Sequence, residues 1–218
     1  MITDRSSTDA VKGTAMLDRI EQKLTEHTPR TLHTQLTKAA ILVALTDESV
    51  PRILFTRRAS HLSSHGGEVA FPGGKQEPDD KDLMTTALRE AEEEVNLKPQ
   101  EVTLLGKSGA VVSRLGIEVT PIIGKVQPNV VLTANADELD RIFWVPLPFF
   151  MDSNNLQYDH WQYGEKTYSI PFYHYQGYKI WGLTATMLVE LLNITLDVNI
   201  AMDSPDLTEH FIRRFKAA

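Results

Sequence analysis

Residues 71–97, FPGGKQEPDDKDLMTTALREAEEEVNL, govern how the rest of this chain is interpreted. The acidic residues at 79–82 suit the N-terminal cap and the positive dipole end of a helix, which is predicted to run to about Val95. Apolar residues recur along one side of this helix at helical spacing. They predict a buried stripe formed by Met84, Leu88, Ala91 and Val95.

In this helix Glu93 and Glu94 follow Glu90 by three and four residues, so the three glutamates share one face. Like charges at this spacing destabilise a helix by roughly 0.2–0.5 kcal/mol per pair, and only Arg89 compensates them locally. Mg²⁺ and Mn²⁺ prefer carboxylate oxygens and bridge to substrate phosphates, so a bound ion would reverse the penalty. Taken alone, the acidic run fits a solvated helix face equally well.

The glycine-rich segment before the helix favours the metal-site interpretation. Residues 60–74 contain four glycines, one proline and two histidines, which predicts an extended loop with close backbone approaches. The turn at 71–74 would present a backbone carbonyl beside the acidic helix face. We expect His61 and His65 to form hydrogen bonds within the loop, because their spacing alone is not a metal motif.

The flanking sequence predicts one α/β (α+β) domain in which a mixed β-sheet lies between α-helices. Residues 1–13 are small and polar and are expected to form a mobile arm, followed by a single domain over residues 14–218 with helical extensions at both ends. Strands at 38–46 and 52–57 should form a β-hairpin. Further strands are predicted at 102–112, 118–126, 142–145, 158–163 and 167–175, helices from Met16 to before Pro29 and at 183–196, and an amphipathic segment at 203–218.

Composition and charge narrow the function classes. The net charge is −7, so no general attraction to nucleic acid or to an anionic membrane is expected. Cysteine is absent, which excludes disulfides, thiolate metal ligands and a cysteine nucleophile, and fits a reducing compartment. The longest apolar run, residues 39–45, is too short to span a bilayer, so the expected location is cytoplasmic.

Residues 74–97 resemble the signature of the Nudix hydrolase family, G-x5-E-x7-R-E-U-x-E-E-x-G-U, where U is a bulky aliphatic residue. Its central charged residues are intact here as Arg89, Glu90, Glu93 and Glu94. Asp80 replaces the first glutamate, with one extra residue before Arg89, and Ala91 is small for its position. Asn96 replaces the last glycine, and we expect it to adopt the left-handed conformation that commonly ends a helix.

Two further segments are similar to the coenzyme A pyrophosphatase branch of that family. The first runs from Leu54 to Gly74, with Ala59 and Ser63 in place of the branch's serine and arginine, and the second is Ile180–Ala185. The resemblance implies Mg²⁺- or Mn²⁺-dependent hydrolysis of a small-molecule nucleotide diphosphate, namely coenzyme A or acyl-CoA. The products would be 3′,5′-ADP and 4′-phosphopantetheine or its acylated form.

The same resemblance implies roles for individual residues. Glu90, Glu94 and the Gly74 carbonyl would bind the metal, and Glu93 would serve as general base as well as a further metal ligand. Arg89 would orient the glutamates. Glu138 is a second candidate for the base, although the simpler interpretation is that Glu138 is an acidic residue on a surface loop.

Substrate contacts are expected from Gly73 and from Arg57 or Arg58. Strand alternation lets at most one of the two arginines point inward, where a guanidinium would bind phosphate oxygens in bidentate fashion. The aromatic residues near the second segment are expected to belong mainly to the core. They are Tyr173, Tyr175, Tyr178 and Trp181.

Several alternatives stay open at this stage. The same chemistry on ADP-ribose or a dinucleotide fits the motif, and so does a nucleotide-sensing module that has lost catalysis, although the intact charged residues disfavour the latter. A diphosphate isomerase is disfavoured because the comparable family needs a cysteine. The sequence does not determine the oligomeric state, so a homodimer is also open.

Overall fold

In the computed structural model, which describes residues 6–62 and 64–216, the predicted helices and strands are present with shifted boundaries, with one exception. The single strand predicted at 102–112 is wrong, because two strands stand there, separated by residues 108–110. The helices are α1 (Ser6–Glu26), α2 (Leu83–Val95), α3 (Leu147–Met151), α4 (Gly182–Leu196) and α5 (Ser204–Lys216). The strands are β1 (Thr37–Thr46), β2 (Arg52–Arg58), β3 (Val69–Ala70), β4 (Gly73–Lys75), β5 (Thr103–Lys107), β6 (Val111–Val112), β7 (Ile117–Val126), β8 (Leu139–Pro146), β9 (Leu156–Tyr163), β10 (Lys166–Tyr175) and β11 (Tyr178–Ile180).

The central sheet is mixed, as the sequence predicts. Its main path runs β3-β2-β1-β7-β5, while β4, β6 and β8 pair with β1, β7 and β2. Strands β1 and β7 are parallel from the pair Thr37 and Ile117 to the pair Thr46 and Val126, and the other pairs are antiparallel. A second, antiparallel sheet has the order β11-β10-β9.

Alternate residues of β1 face different helical layers, because successive side chains of a strand point to opposite faces. Ala40, Leu42 and Ala44 belong to the core beneath α2. Val43 and Leu45 belong to the larger core that includes residues of α1 and α4. The expected arrangement of a mixed sheet between α-helices is therefore confirmed.

Helix α2 is rotated relative to the predicted apolar stripe. Met84 is 43% exposed and Leu88 is half-buried, so the predicted stripe is wrong at Met84. The buried face consists instead of Thr86, Ala87, Ala91, Glu94 and Val95. Small side chains let the helix approach the alanines of β1 closely, which a face built on Met84 would prevent. This rotation also carries Glu94 into the interior.

Other boundaries differ at the two ends of the chain and in the glycine-rich segment. Residues 1–5 of the expected arm lie outside the described residues, and α1 begins at Ser6, ahead of its first periodic apolar residue. The segment 60–74, predicted to be a loop, contains strand β3 and the start of β4, because both pair with longer strands. The expected segment at 203–218 is α5. In the described part of the chain we find no helix long and apolar enough to cross a membrane.

Candidate active site

Helix α2 is capped at both ends by short polar residues. At its start the Asp82 carboxylate accepts a hydrogen bond from the Thr85 N–H at 2.8 Å. At its end Asn96 adopts φ 58° and ψ 26°, and its N–H donates to the Glu92 carbonyl at 2.9 Å. The left-handed conformation expected of Asn96 is therefore confirmed, and the change from glycine leaves the helix end intact.

Strand β4 brings the backbone of Gly73 and Gly74 between β1 and α2. Gly73 pairs with Ile41 and has φ 156°, and a Cβ there would overlap the Ala40 carbonyl oxygen. A Cβ on Gly74 would overlap the carboxylate of Glu90. Both glycines are therefore required by close approaches, one to the neighbouring strand and one to the acidic helix face.

Glu94 is the most buried acid of the site, with 5% of its surface exposed. Burial above all, and then the negative charges of Glu90 and Glu138, raise its pKa from the ordinary 4.5 to about 8. The Gly73 N–H, which donates to the Glu94 carboxylate, and the positive charge of Arg58 act in the opposite direction. The Glu94 carboxylate therefore carries its charge poorly without a nearby cation.

Glu90 lies beside Glu94, and burial affects its carboxylate in the same direction. Burial raises its pKa, and nearby Glu93 and Glu138 add to the rise, whereas Arg89 lowers it through a 3.0 Å ion pair. Glu93 differs because its side chain is 54% exposed and pairs with Arg89 at 3.0 Å. The three glutamates thus share one helix face, as predicted, but only Glu90 and Glu94 lie in the interior of the site.

Glu138 reaches this cluster from the segment before β8. The Asn135 N–H donates to the Glu94 carbonyl at 2.9 Å, which fixes this segment against the end of α2. The Asn135 side-chain amide donates to the Glu138 carboxylate at 3.3 Å. Glu138 is half-buried and raises the pKa of both Glu90 and Glu94, so it lies next to the acidic face.

Arg89 connects the acidic residues of the site. Its Nε and Nη2 donate to the two carboxylate oxygens of Asp80, each at 3.1 Å, and its Nη2 also donates to the Lys75 carbonyl. The Asp80 side chain is 4% exposed, and the hydrogen bond from Arg89 is the main reason that its pKa falls to about 2. The same pairing raises the pKa of Arg89. Arg89 is therefore a permanent cation held against the glutamates.

The donor set fits a divalent cation. Glu90 and Glu94 offer hard carboxylate oxygens in a buried, like-charged pair next to the backbone of Gly74, which suits Mg²⁺ or Mn²⁺. In the described part of the chain no three His, Cys, Asp or Glu side chains are arranged around one point as metal ligands. Glu93 is turned away toward Arg89, so a complete set would require this side chain to rotate.

The two arginines at the end of β2 occupy different environments. Arg58 lines the cavity that reaches Gly73 and Gly74, and its Nε is buried without a hydrogen-bond partner among the described residues. Arg57 instead donates to the Gly67 carbonyl at 3.4 Å and lies 3.9 Å from the Asp140 carboxylate. Of the two candidates, only Arg58 faces the site.

The remaining sequence candidates are placed as follows. His65 forms a hydrogen bond with Glu68 at 2.9 Å, which is the role expected within the loop, and Ser63 lies outside the described residues. Tyr173 is fully buried, as expected of a core aromatic residue. Trp181, however, lines the cavity next to the site.

This cavity was not predicted. It has a volume of about 350 Å³ and extends from Gly73 and Gly74 to α4 and α5. Its far walls include Val112, Trp161, Ile170, Met187, Leu207 and Phe211. The only indication in the sequence was the amphipathic character of residues 203–218, which is compatible with many packing partners.

Comparisons with known proteins agree with this geometry. A family model described as the NUDIX domain matches residues 36–163. A protein of Photorhabdus laumondii named uncharacterized Nudix hydrolase NudL is 41% identical over 163 residues, which are 75% of this chain and 87% of that protein. A Yersinia pestis protein of the same name is 40% identical and is covered to 77%, against 71% of this chain.

Solved structures that match part of this chain were also found. A Caenorhabditis elegans Ap4A hydrolase has a TM-score of 0.44 at 19% identity, covering 50% of this chain and 80% of that chain. A MutT/nudix family protein from Enterococcus faecalis has a TM-score of 0.44 at 13% identity, covering 90% of this chain and 76% of that chain.

Proposed function

Because the chain belongs to the Nudix hydrolase family, whose members act on nucleoside diphosphate derivatives with divalent metal ions, we propose that it hydrolyses the diphosphate of coenzyme A or acyl-CoA. The products would be 3′,5′-ADP and 4′-phosphopantetheine or its acylated form. The metal would be Mg²⁺ or Mn²⁺, bound by the glutamates of α2.

One contact carries the choice of substrate. The two segments that are similar to the coenzyme A pyrophosphatase branch are more than 100 residues apart, yet the Thr184 hydroxyl of the second donates to the Val69 carbonyl of the first at 3.2 Å. Phe71 and Trp181, one from each segment, line the same cavity beside Gly73 and Gly74. That residues of both segments meet at one cavity supports the proposed substrate.

The proposed mechanism assigns one task to each charged group. Glu90, Glu94 and the Gly74 carbonyl would hold the ion, which when bound supplies positive charge to the phosphoryl oxygens. Glu93 would accept the proton of the attacking water, with Glu138 as the second candidate and Arg89 as the group that positions the glutamates. Substrate contacts are assigned to Gly73 and Arg58, with Arg58 binding the diphosphate, whereas Arg57 is engaged by Gly67 and Asp140.

The decisive experiment is a coenzyme A assay with Mg²⁺ and with Mn²⁺, in which 3′,5′-ADP is measured by chromatography. We expect turnover by the wild type and a loss of at least 100-fold in Glu93→Gln, which keeps the shape but removes the base. Glu92→Gln is the matched control, because Glu92 pairs with Lys98 away from the cluster.

A substrate panel separates the alternatives. Cleavage of ADP-ribose or a dinucleotide without cleavage of coenzyme A would overturn the substrate assignment but keep the chemistry. Tight nucleotide binding without turnover of any compound would favour a sensing module. Normal turnover in Glu93→Gln would transfer the base role to Glu138.

We also propose that the chain folds as one domain and is located in the cytoplasm. A single domain over residues 14–218 is supported by the larger core, which joins Leu17 of α1, Val43 of β1 and Leu188 of α4. A cytoplasmic location is supported by the absence of cysteine from the whole sequence.

A further inference from the structure

We propose that the cavity beside Gly73 and Gly74 binds the acyl end of an acyl-thioester substrate, and that α5 forms the wall which limits the length of the acyl chain. This inference rests on the proposed diphosphatase function and adds to it a chemical class and a specificity element. The enzyme would thus prefer acylated to free coenzyme A.

The chemistry of the cavity wall favours an aliphatic occupant. Its far end is formed mainly by apolar side chains, such as Val112, Ile170, Met187 and Leu207. The hydroxyl of Thr184, which also lines the cavity, is already engaged with the Val69 carbonyl. A polar group placed there would lose its hydrogen bonds to water, whereas each methylene gains from leaving water.

The position of the cavity connects it to the proposed chemistry. One end is lined by Arg58, Gly73, Gly74 and Lys75, and the backbone of Gly74 closely approaches the carboxylate of Glu90 on α2. A substrate whose diphosphate contacts this end would direct its pantetheine arm, and beyond it the acyl chain, toward α4 and α5. The volume of about 350 Å³ lies at the lower limit of ordinary ligand pockets, so only a chain of limited length fits.

The aromatic residues of the cavity disfavour adenine as the occupant. The rings of Trp161 and Trp181 are 5.9 Å apart with an interplanar angle of 72°. They therefore leave no parallel slot in which a purine could stack between them, and the aliphatic wall offers few partners for its ring nitrogens. Adenine binding is nonetheless a measurable competing outcome.

Helix α5 forms one wall of the cavity. This helix lies outside residues 36–163, the part of the chain that matches the family model. Leu207 and Phe211 are one helical turn apart and both face the cavity. The Phe215 ring packs against Gly116, where any added Cβ would lie 3.0 Å from it. This contact anchors α5 to the turn between β6 and β7 and sets the depth of the cavity.

The first test compares kcat/KM for coenzyme A with a series of acyl-CoA substrates of increasing chain length. We expect kcat/KM to rise by about threefold to fourfold per methylene until the cavity is filled, and then to fall. Phe211→Ala should move the optimum to longer chains. Ile212→Ala is the matched control, since Ile212 packs in the same cluster but does not line the cavity.

The second test does not need turnover or a variant. S-hexanoyl-4′-phosphopantetheine has no diphosphate to cleave, and its binding should change the fluorescence of Trp161 and Trp181, while Trp144 packs in the core beneath α2. We expect at least tenfold tighter binding than for unacylated 4′-phosphopantetheine.

The outcomes separate this inference from the proposed function. Equal binding of the two probes, or equal kcat/KM for free and acylated coenzyme A, would overturn the acyl site while leaving the diphosphatase intact. A fluorescence change with 3′,5′-ADP but not with the acyl probe would assign the cavity to adenine and also overturn it. Tighter binding of the acyl probe without any cleavage of coenzyme A would refute the proposed function alone.

Discussion

Arg89 and Asp80 form a bidentate ion pair, with Nε and Nη2 of the arginine each 3.1 Å from one carboxylate oxygen. Asp80 stands where the family signature has a glutamate, and its side chain is shorter by one methylene. One extra residue separates it from Arg89, and the aspartate still reaches the guanidinium. The pair holds Arg89 in place while its Nη1 contacts Glu93.

We predict that Asp80→Asn weakens both the fold and the site. The change leaves a largely buried guanidinium without its main partner, so the free energy of unfolding should fall by about 2–3 kcal/mol. Metal-dependent turnover should fall at least tenfold, because Arg89 no longer orients Glu90 and Glu93. Asp79→Asn, at an exposed neighbour, should change stability by less than about 0.5 kcal/mol in urea titrations.

The same pair predicts a pH dependence of stability. The pKa of Asp80 is about 2 in the folded chain against an ordinary 3.8, so its contribution is present above pH 4 and is lost as the pH falls toward 2. The difference in unfolding free energy between wild type and Asp80→Asn should therefore shrink by about 1–2 kcal/mol between pH 5 and pH 2.5. A constant difference over that range would contradict the assignment.

The raised pKa of Glu94 predicts the opposite pH dependence of stability in protein freed of metal by EDTA. Its pKa of about 8 exceeds the ordinary 4.5, so its stabilising protonated form is complete below about pH 4.5 and is lost as the pH rises through 8. Glu94→Gln cannot ionise, and at pH 9 it should exceed the metal-free wild type in unfolding free energy by about 2–4 kcal/mol.

Addition of Mg²⁺ or Mn²⁺ provides the control for that comparison. The metal should raise the stability of the wild type, since it binds only the folded state, and should leave Glu94→Gln nearly unchanged. Thermal unfolding with and without metal measures both effects. A variant that is less stable than wild type at pH 9 without metal would show that Glu94 is not a strained acid.

The helix and its acidic face could be predicted from the sequence because both depend on local information. The cap at Asp82, the left-handed Asn96 and the shared face of Glu90, Glu93 and Glu94 all follow from residues within one or two helical turns. The exposure of Met84 could not be predicted in this way, since it depends on which strand the helix packs against.

The parts of the site that the sequence did not specify all depend on contacts between distant segments. The placement of Glu138 requires the hydrogen bond from Asn135 to the end of α2. The choice between Arg57 and Arg58 depends on Asp140, which is more than 80 residues away and engages the first of them. The cavity exists only because α5 returns to pack on β6, and helical periodicity alone does not identify a packing partner.

Substitution of Gly74 tests whether metal binding needs the close approach between its backbone and the Glu90 carboxylate. A Cβ in Gly74→Ala would overlap the Glu90 carboxylate and force it away from the metal-binding face. We expect the affinity for Mn²⁺, measured by calorimetry, to fall at least tenfold, with a loss of stability below about 2 kcal/mol. Gly164→Asn is the control, because that glycine has φ 64° and open space around it. Unaltered Mn²⁺ affinity in Gly74→Ala would exclude the proposed ligand arrangement.

Arg57 and Arg58, at the end of β2, should differ most clearly in their effect on catalysis. Arg58→Lys keeps the charge but removes the planar fork, so kcat/KM for the diphosphate substrate should fall about 10- to 100-fold. The free energy of unfolding of Arg58→Lys should hardly change, because the buried Nε of Arg58 forms no hydrogen bond with the described residues. Arg57→Lys should instead have a small effect on kcat/KM, since Arg57 contacts Gly67 and Asp140 in the loop. A larger loss of kcat/KM in Arg57→Lys than in Arg58→Lys would reverse the assignment and place the phosphate on the loop side of the strand.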